Sequence, residues 1–242
     1  MFKTATTHKR SAETRARILQ TALDTFRRVG LDAATMRQIS KDAGVALGAA
    51  YYYFPSKEAI VQAFYEGVQE EHRQRVEVAL AAGGLDLEAR LRAALHSKLD
   101  ILEGDRKFLG ALFRYTGEPG HPLSVLSDDA RPVREQSIAV FASAVGDEKL
   151  PDDIRAFLPT TLWALHMAIL LYFIYDTSAN QQRTRKLVDG AIALVVRALA
   201  LAKFPFLKLI RGSLFSLLRD AGLFPNAPSA PSPAAPSSPQ EE

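Results

Sequence analysis

Cysteine is absent from all 242 residues, so neither a disulfide nor a thiolate metal site can form. The five histidines (His8, His72, His96, His121, His166) show neither H-x-x-x-H nor H-x-H spacing, and no metal or other cofactor is expected. No Gly-rich phosphate loop and no nucleophile elbow occurs, so no set of residues nominates itself for catalysis and an enzyme is not the expectation. No apolar run follows the basic start MFKTATTHKR, so no secretory signal is expected; with the missing cysteine, this suits a cytoplasmic protein. Overall charge is also scant, at +3, but it is unevenly spread. Residues 1–60 hold ten Lys/Arg against five Asp/Glu (+5), and the remainder twenty against twenty-two (−2). A basic end of this kind suits a polyanion.

That basic end contains the stretch around which the chain is organised, TMRQISKDAGVALGAAYYYFPSK, from Thr35 to Lys57. Thr35 followed by Gln38 reads as a capping box that starts a helix at Met36, with Ile39 and Ala43 on its inner face. Gly44 supplies a left-handed residue to end it, Val45 turns back to the core, and a second helix covers about Ala46 to Tyr53. Two short helices across a tight turn form a helix-turn-helix, whose second helix enters the major groove of DNA. The tail that follows, from Tyr51 through Phe54 to Lys57, adds hydroxyls and a cation suited to phosphates.

Over about Thr14 to Phe64 the chain resembles the DNA-binding domain of the TetR family of bacterial transcriptional regulators. The resemblance rests on Thr35, Ala43-Gly44-Val45, Tyr51, Phe54 and Lys57. It implies an all-α fold: an N-terminal three-helix helix-turn-helix domain, a larger helical regulatory and dimerisation domain, and a palindromic double-stranded DNA operator. The residues placed at the DNA are Thr35, Met36, Arg37, Ala46, Leu47, Gly48, Ala49, Tyr51, Tyr52 and Lys57. The start of the recognition helix, Ala46-Leu47-Gly48-Ala49, offers none of the Arg, Asn or Gln side chains that read bases bidentately. Base-edge hydrogen bonding then falls to Arg37 with Tyr51 or Tyr52, and DNA shape carries part of the specificity.

In chain order, residues 1–10 are expected to be a flexible basic arm and 11–55 the DNA-binding domain. Its first helix starts near Ser11, with Ile18, Ala22, Phe26 and Val29 as one stripe. Residues 56–202 form the regulatory domain. A long helix begins after Ser56, and one over Leu85–Glu103 carries Leu87, Leu91, Leu95, Leu99 and Leu102 on one face. A short helix spans Arg106–Tyr115, and one over Leu123–Val145 is kinked or split by Pro132. Thr160–Tyr175 is the most apolar run, at sixteen residues shorter than the roughly 20 needed to cross a bilayer. With the next helix, Arg183–Ala202, it is expected to form a four-helix seam in a homodimer. Residues 203–224 are an extra amphipathic helix, read first as packing on the regulatory domain or lengthening the dimer seam, and second as a membrane-surface contact. Residues 225–242, with six prolines among Ala and Ser, are expected to be disordered.

The resemblance further implies an apolar cavity among the middle helices. Its candidate lining is His96, Leu99, Phe108, Leu112, Phe113, Trp163, His166, Met167 and Leu170, with Leu95, Leu102 and Arg114 nearby. Few acidic residues lie on these faces, which suits a neutral or weakly acidic hydrophobic effector. The leading reading is therefore a ligand-responsive dimeric repressor. The alternatives are a DNA-binding architectural or division-associated protein of the same fold without an inducer, and a membrane-surface adaptor using 203–224.

Overall fold

A computed structural model describes residues 3–116, 118 and 120–202; the amphipathic segment 203–224, the tail 225–242 and the first two residues lie outside it. Nine α-helices and no strand make up the described residues. Helices α1 (Lys3–Val29), α2 (Met36–Asp42) and α3 (Leu47–Tyr53) build a small head. Residues 3–10, expected to belong to a flexible arm, are helical, because α1 already begins at Lys3. No Gly or Pro interrupts residues 3–29, and once a helix is nucleated each further residue adds a hydrogen bond. Ile18, Ala22 and Phe26 are buried as one stripe against Ile39, Ala50 and Phe54. Val29 departs from that stripe and is exposed, since the helix ends there and Leu31 fills the core instead.

The α2–α3 turn is decided by backbone chemistry. Thr35 Oγ1 accepts from the Gln38 amide at 3.1 Å, while the Gln38 side chain reaches forward to Asp42 at 2.6 Å, so only half of the expected capping box forms. Gly44 sits at φ +65°. Its amide donates to Lys41 O (3.1 Å) and the Val45 amide to Ser40 O (3.0 Å), a paired closure that satisfies the last carbonyls of α2. Ala46 precedes α3 in extended conformation with no side-chain cap.

Helix α4 (Lys57–Ala81) belongs to both parts of the molecule. Ser56 Oγ caps its start at 3.2 Å from the Ala59 amide. Its first turns bury Ile60, Val61 and Phe64, and its far half buries Gln69, His72 and Val76. Beyond it, α5 (Leu87–Leu102) buries the five expected leucines in a row, capped by Asp86 at 2.8 Å from the Ala89 amide. A single 3₁₀ turn, Glu103–Asp105, leads into α6 (Arg106–Phe113). Helix α7 runs only from Arg131 to Val145. Pro132 stands in its first turn and starts the helix, where a missing N–H costs nothing, so there is no kink within it. The residues before it form turns held by Ser124 and Ser127.

Helix α8 (Asp152–Tyr175) extends eight residues ahead of the apolar run and is long and apolar enough, by length and composition, to span a bilayer. Within the fold it is a bundle helix. Leu158, Leu162, His166, Ile169 and Phe173 lie in the core, whereas Ala164, Ala168, Leu171, Tyr172 and Tyr175 face outward. Helix α9 (Gln182–Ala202) repeats this division, burying Val188, Ile192 and Leu199 while Leu187, Gly190, Leu194 and Leu201 face out. Arg185 to Asp100 at 2.7 Å and His96 to Asp189 at 3.0 Å fix α9 against α5.

Open space surrounds the Cα of Gly44, so only its left-handed backbone resists a side chain. Gly44→Ala should therefore lower folding stability by about 1–2 kcal/mol, read from equilibrium urea unfolding, with little change in the slope of the transition.

Candidate nucleic-acid interface and effector cavity

The outer surface of the head is formed by α3 and the start of α2. Tyr52 is 82% exposed and Tyr51 48%, with Leu47 and Gly48 open beside them and Ala49 half-buried. Arg37 and Thr35 are also exposed, although Thr35 Oγ1 is already engaged in capping. The third tyrosine turns inward, its hydroxyl 3.1 Å from Ser11 Oγ, and braces α3 against α1. Arg15 lies 4.8 Å from the Phe54 ring centre, packing on the back of the same unit. The polypeptide thus presents two phenolic hydroxyls, a guanidinium and a small-residue helix face on one surface.

Two expected contact residues do not belong to it. Met36 is buried at 6% exposure, because the first residue of α2 faces α1. Lys57 is committed internally: its Nζ donates to Leu31 O (2.7 Å), Ala34 O (2.9 Å) and Asp32 O (3.3 Å). The α1–α2 loop leaves these carbonyls without backbone partners, and an ammonium with three donors satisfies all of them. They also offset the cation's poor position at a helix N-terminus.

The head is tied to the rest by a set of contacts that converge on α6. The Phe108 ring lies 5.7 Å from Phe26 of α1 and 5.3 Å from Phe64 of α4. Arg27 Nε donates to Asp105 at 2.6 Å, which raises the Arg27 pKa through that hydrogen bond. At the other end of α6, Arg114 and the Tyr115 hydroxyl both reach Asp32 at 3.1 Å. Arg106 donates to the carbonyls of Phe173, Ile174 and Asp176, clamping α6 to the end of α8.

The neighbouring flank of α6 borders a cavity of about 100 Å³, enough for several waters or a small ligand. Leu112, Phe113, Trp163, His166, Met167 and Leu170 line it as expected, together with Leu102. His96, Leu99 and Phe108 do not. His96 sits on the α9 side of α5 against Asp189, Leu99 belongs to the leucine row in the core, and Phe108 is consumed by the aromatic junction. Leu95 is core, and Arg114 lies outside on Asp32.

The sequence reading missed apolar wall residues such as Val68, Leu109 and Val133, and it also missed several polar ones. Gln69, Lys98, Arg134 and Ser137 line the cavity, and among the described residues no Asp or Glu does. Lys98 is only 4% exposed, and its Nζ donates to Gln69 Oε1 at 3.0 Å. Burial pulls its pKa down to about 7, with Glu71 opposing weakly. Glu71 is exposed and paired with Arg75 at 2.5 Å. His72 is held near pKa 3 by burial and by the neighbouring Lys98, and its Nε2 meets Ala94 O at 2.8 Å. His166 is lowered well below its usual value by burial, then by Lys98 and His72. A signal existed: Lys98 falls at i+7 from Leu91 and i+3 from Leu95, within the apolar face of α5, as Gln69 and His72 do on α4. Among the described residues no group of three or more His, Cys, Asp or Glu could hold a metal.

Comparisons with known proteins agree with this architecture. The family described as "Bacterial regulatory proteins, tetR family" matches residues 18–64, and "Tetracyclin repressor-like, C-terminal domain" matches 90–212, half of the chain. The chain is 30% identical over 164 residues to the transcriptional repressor KstR2 of Rhodococcus jostii strain RHA1, covering 62% of this chain and 76% of the repressor. A TetR regulator from Nitrosomonas europaea superposes with a TM-score of 0.61 at 19% identity, over 74% of this chain and 96% of that one. Thermus thermophilus FadR, a repressor solved in complex with lauroyl-CoA, superposes at 0.57 and 19% identity, over 91% of this chain and all of that one. At these identities the two structures establish likeness of fold.

Lys98 should leave a mark on stability. Its folded pKa, about 7, lies below the unfolded value near 10.5, so between those values the unfolded chain binds more protons. Stability contributed by this group therefore rises with pH above 7. Urea unfolding from pH 7 to 9.5 should show that rise, and Lys98→Met should flatten it while raising stability at pH 7.

Proposed function

The chain belongs to the TetR family of bacterial transcriptional regulators and is a DNA-binding regulator; we propose that it acts as a two-fold dimeric repressor, released from a palindromic operator by a hydrophobic small molecule held in the α4–α8 cavity. The observation that carries this reading is the sharing of α6 between the two sites. It packs on the head through Phe108 and borders the cavity through Leu109, Leu112 and Phe113.

For the dimer, the support is the paired outer faces of α8 and α9. Tyr175, Leu194 and Leu201 are 67%, 68% and 58% exposed on helices that are apolar on that side. Such surfaces seek burial, and a two-fold copy of the same pair would make a four-helix seam. Two heads would then meet successive major grooves about 34–36 Å apart. Tyr51, Tyr52 and Thr35 would contact phosphates or bases, Ala46, Leu47, Gly48 and Ala49 would lie close to base edges, and Arg37 would read them. A cytoplasmic location suits this target.

Release follows from differential binding. An effector that wedges α6 away from α8 strains the Phe108 junction and the Arg27–Asp105 pair, and so tilts the head. Coupling of about 1–3 kcal/mol is typical of such devices and is enough to empty an operator held near its midpoint. The architectural alternative without an inducer is not favoured, since the cavity has free space beside the coupling helix and the relatives are named repressors and regulators.

Selection of duplexes from a random pool should yield a two-fold repeat; recovery of asymmetric DNA would overturn the dimeric reading. On the selected operator, Arg37→Ala should lose about 1–3 kcal/mol of discrimination between base variants while keeping non-specific affinity. Leu194→Glu should convert the protein to a monomer in light scattering and weaken operator binding at least a hundredfold.

A further inference from the structure

The cavity has one feature that an apolar effector does not explain. Its inner end gathers buried polar groups that lack partners. Lys98 makes no ion pair with a carboxylate among the described residues, and its hydrogen bond to Gln69 Oε1 uses one of three donors. Among the described residues, the Gln69 Nε2 and both ring nitrogens of His166 have no hydrogen-bond partner, although His166 is 97% buried. Lys98, Gln69 and His166 all line the cavity. Buried polar groups are otherwise hydrogen-bonded almost without exception, and each orphan carries a desolvation cost. Three donors facing one space, in a cavity that the described residues line with two cations and no carboxylate, are complementary to an anion. The second cation, Arg134, is held through Nη1 on Val125 O (2.8 Å) and Ser127 O (3.1 Å), whereas Lys98 is the cation beside Gln69 and His166.

We propose that the inner end of the cavity is an anion pocket, in which Lys98, Gln69 and His166 receive the carboxylate of an amphiphilic acid whose hydrocarbon lies along Leu109, Leu112, Trp163 and Met167. The proposal rests on the effector reading of the same cavity and names the chemical class of that effector. The carboxylate accepts from the Lys98 ammonium, from the Gln69 amide and from one N–H of neutral His166.

The pocket also couples binding to a proton. The groups facing Lys98 are Gln69, Glu71 and His72 from α4 and His166 from α8, with Arg134 of α7 on the same cavity. In this company the empty pocket holds Lys98 near pKa 7, so above that pH it is largely an uncharged amine. An incoming carboxylate stabilises the ammonium and raises that pKa. Binding above pH 7 then takes up a proton from solvent onto Lys98 Nζ, and below pH 7 it does not.

Octanoate and 1-octanol, of equal chain length, serve as probes of the full-length wild-type protein by isothermal titration calorimetry. Octanoate should bind at least tenfold more tightly than octanol at pH 7. Titration at pH 8 in buffers of different ionisation enthalpy should show net proton uptake, and the advantage of octanoate should shrink as pH rises further. Lys98→Met should abolish the preference for octanoate while octanol still binds. Equal affinity for the two probes, absence of proton uptake at pH 8, or a preference retained in Lys98→Met would overturn the proposal. So would failure of both probes to bind. The proton measurement uses wild-type protein and holds even if the variant misfolds. Operator binding is read in a separate assay, so loss of the anion pocket leaves the repressor reading standing, and only failure to bind DNA removes it.

Discussion

Phe108 is the contact on which the rest depends. It stacks on Phe26 of the head, meets Phe64 of α4 edge-on, and is itself carried by the helix that walls the cavity. An aromatic junction of this kind is stiff, because ring pairs lose favourable geometry with small displacements and packed interiors do not deform continuously. The head is therefore set by where α6 sits. Arg27 on Asp105 and Arg114 with Tyr115 on Asp32 add directional ties at both ends of α6, and Arg106 anchors it to α8. A helix of eight residues, Arg106–Phe113, thus joins α4 in linking the head to the cavity.

The cavity's chemistry follows from what the core tolerates. A lysine placed on the inner face of α5 has no carboxylate to neutralise it, so the fold accommodates it by shedding its proton near pH 7. Two neighbouring histidines, His72 and His166, are kept neutral for the same reason. Hydrophobic residues at these positions would pack without that cost, so the polar cluster is a departure from core logic that coincides with free space.

Much was legible in the chain before any coordinates. The left-handed Gly44, the inward Ile39 and Ala43 and the leucine row of α5 all followed from local propensity and periodicity. The failures share one physical origin. Lys57 and Met36 were placed at the DNA by motif position, yet the fold sets the Lys57 ammonium on loop carbonyls and buries Met36. Phe108 is as apolar as Phe113, and only their neighbours make one a hinge and the other a cavity wall. Pro132 reads as a kink or a division of the helix and proves to stand at a helix start, because the segment before it folds into turns.

By itself the sequence determined the helical class, the helix-turn-helix with its tight turn and exposed tyrosines, and the apolar stripes of α5, α8 and α9. Those are properties of neighbours three or four residues apart, which periodicity and capping record directly. Tertiary structure alone decided which stripes face one another, which lysine is buried, and which side of each helix borders empty space. Such facts belong to residues tens of positions apart, like Gln69 with Lys98 or Phe26 with Phe108, and nothing in the local pattern of either partner names the other.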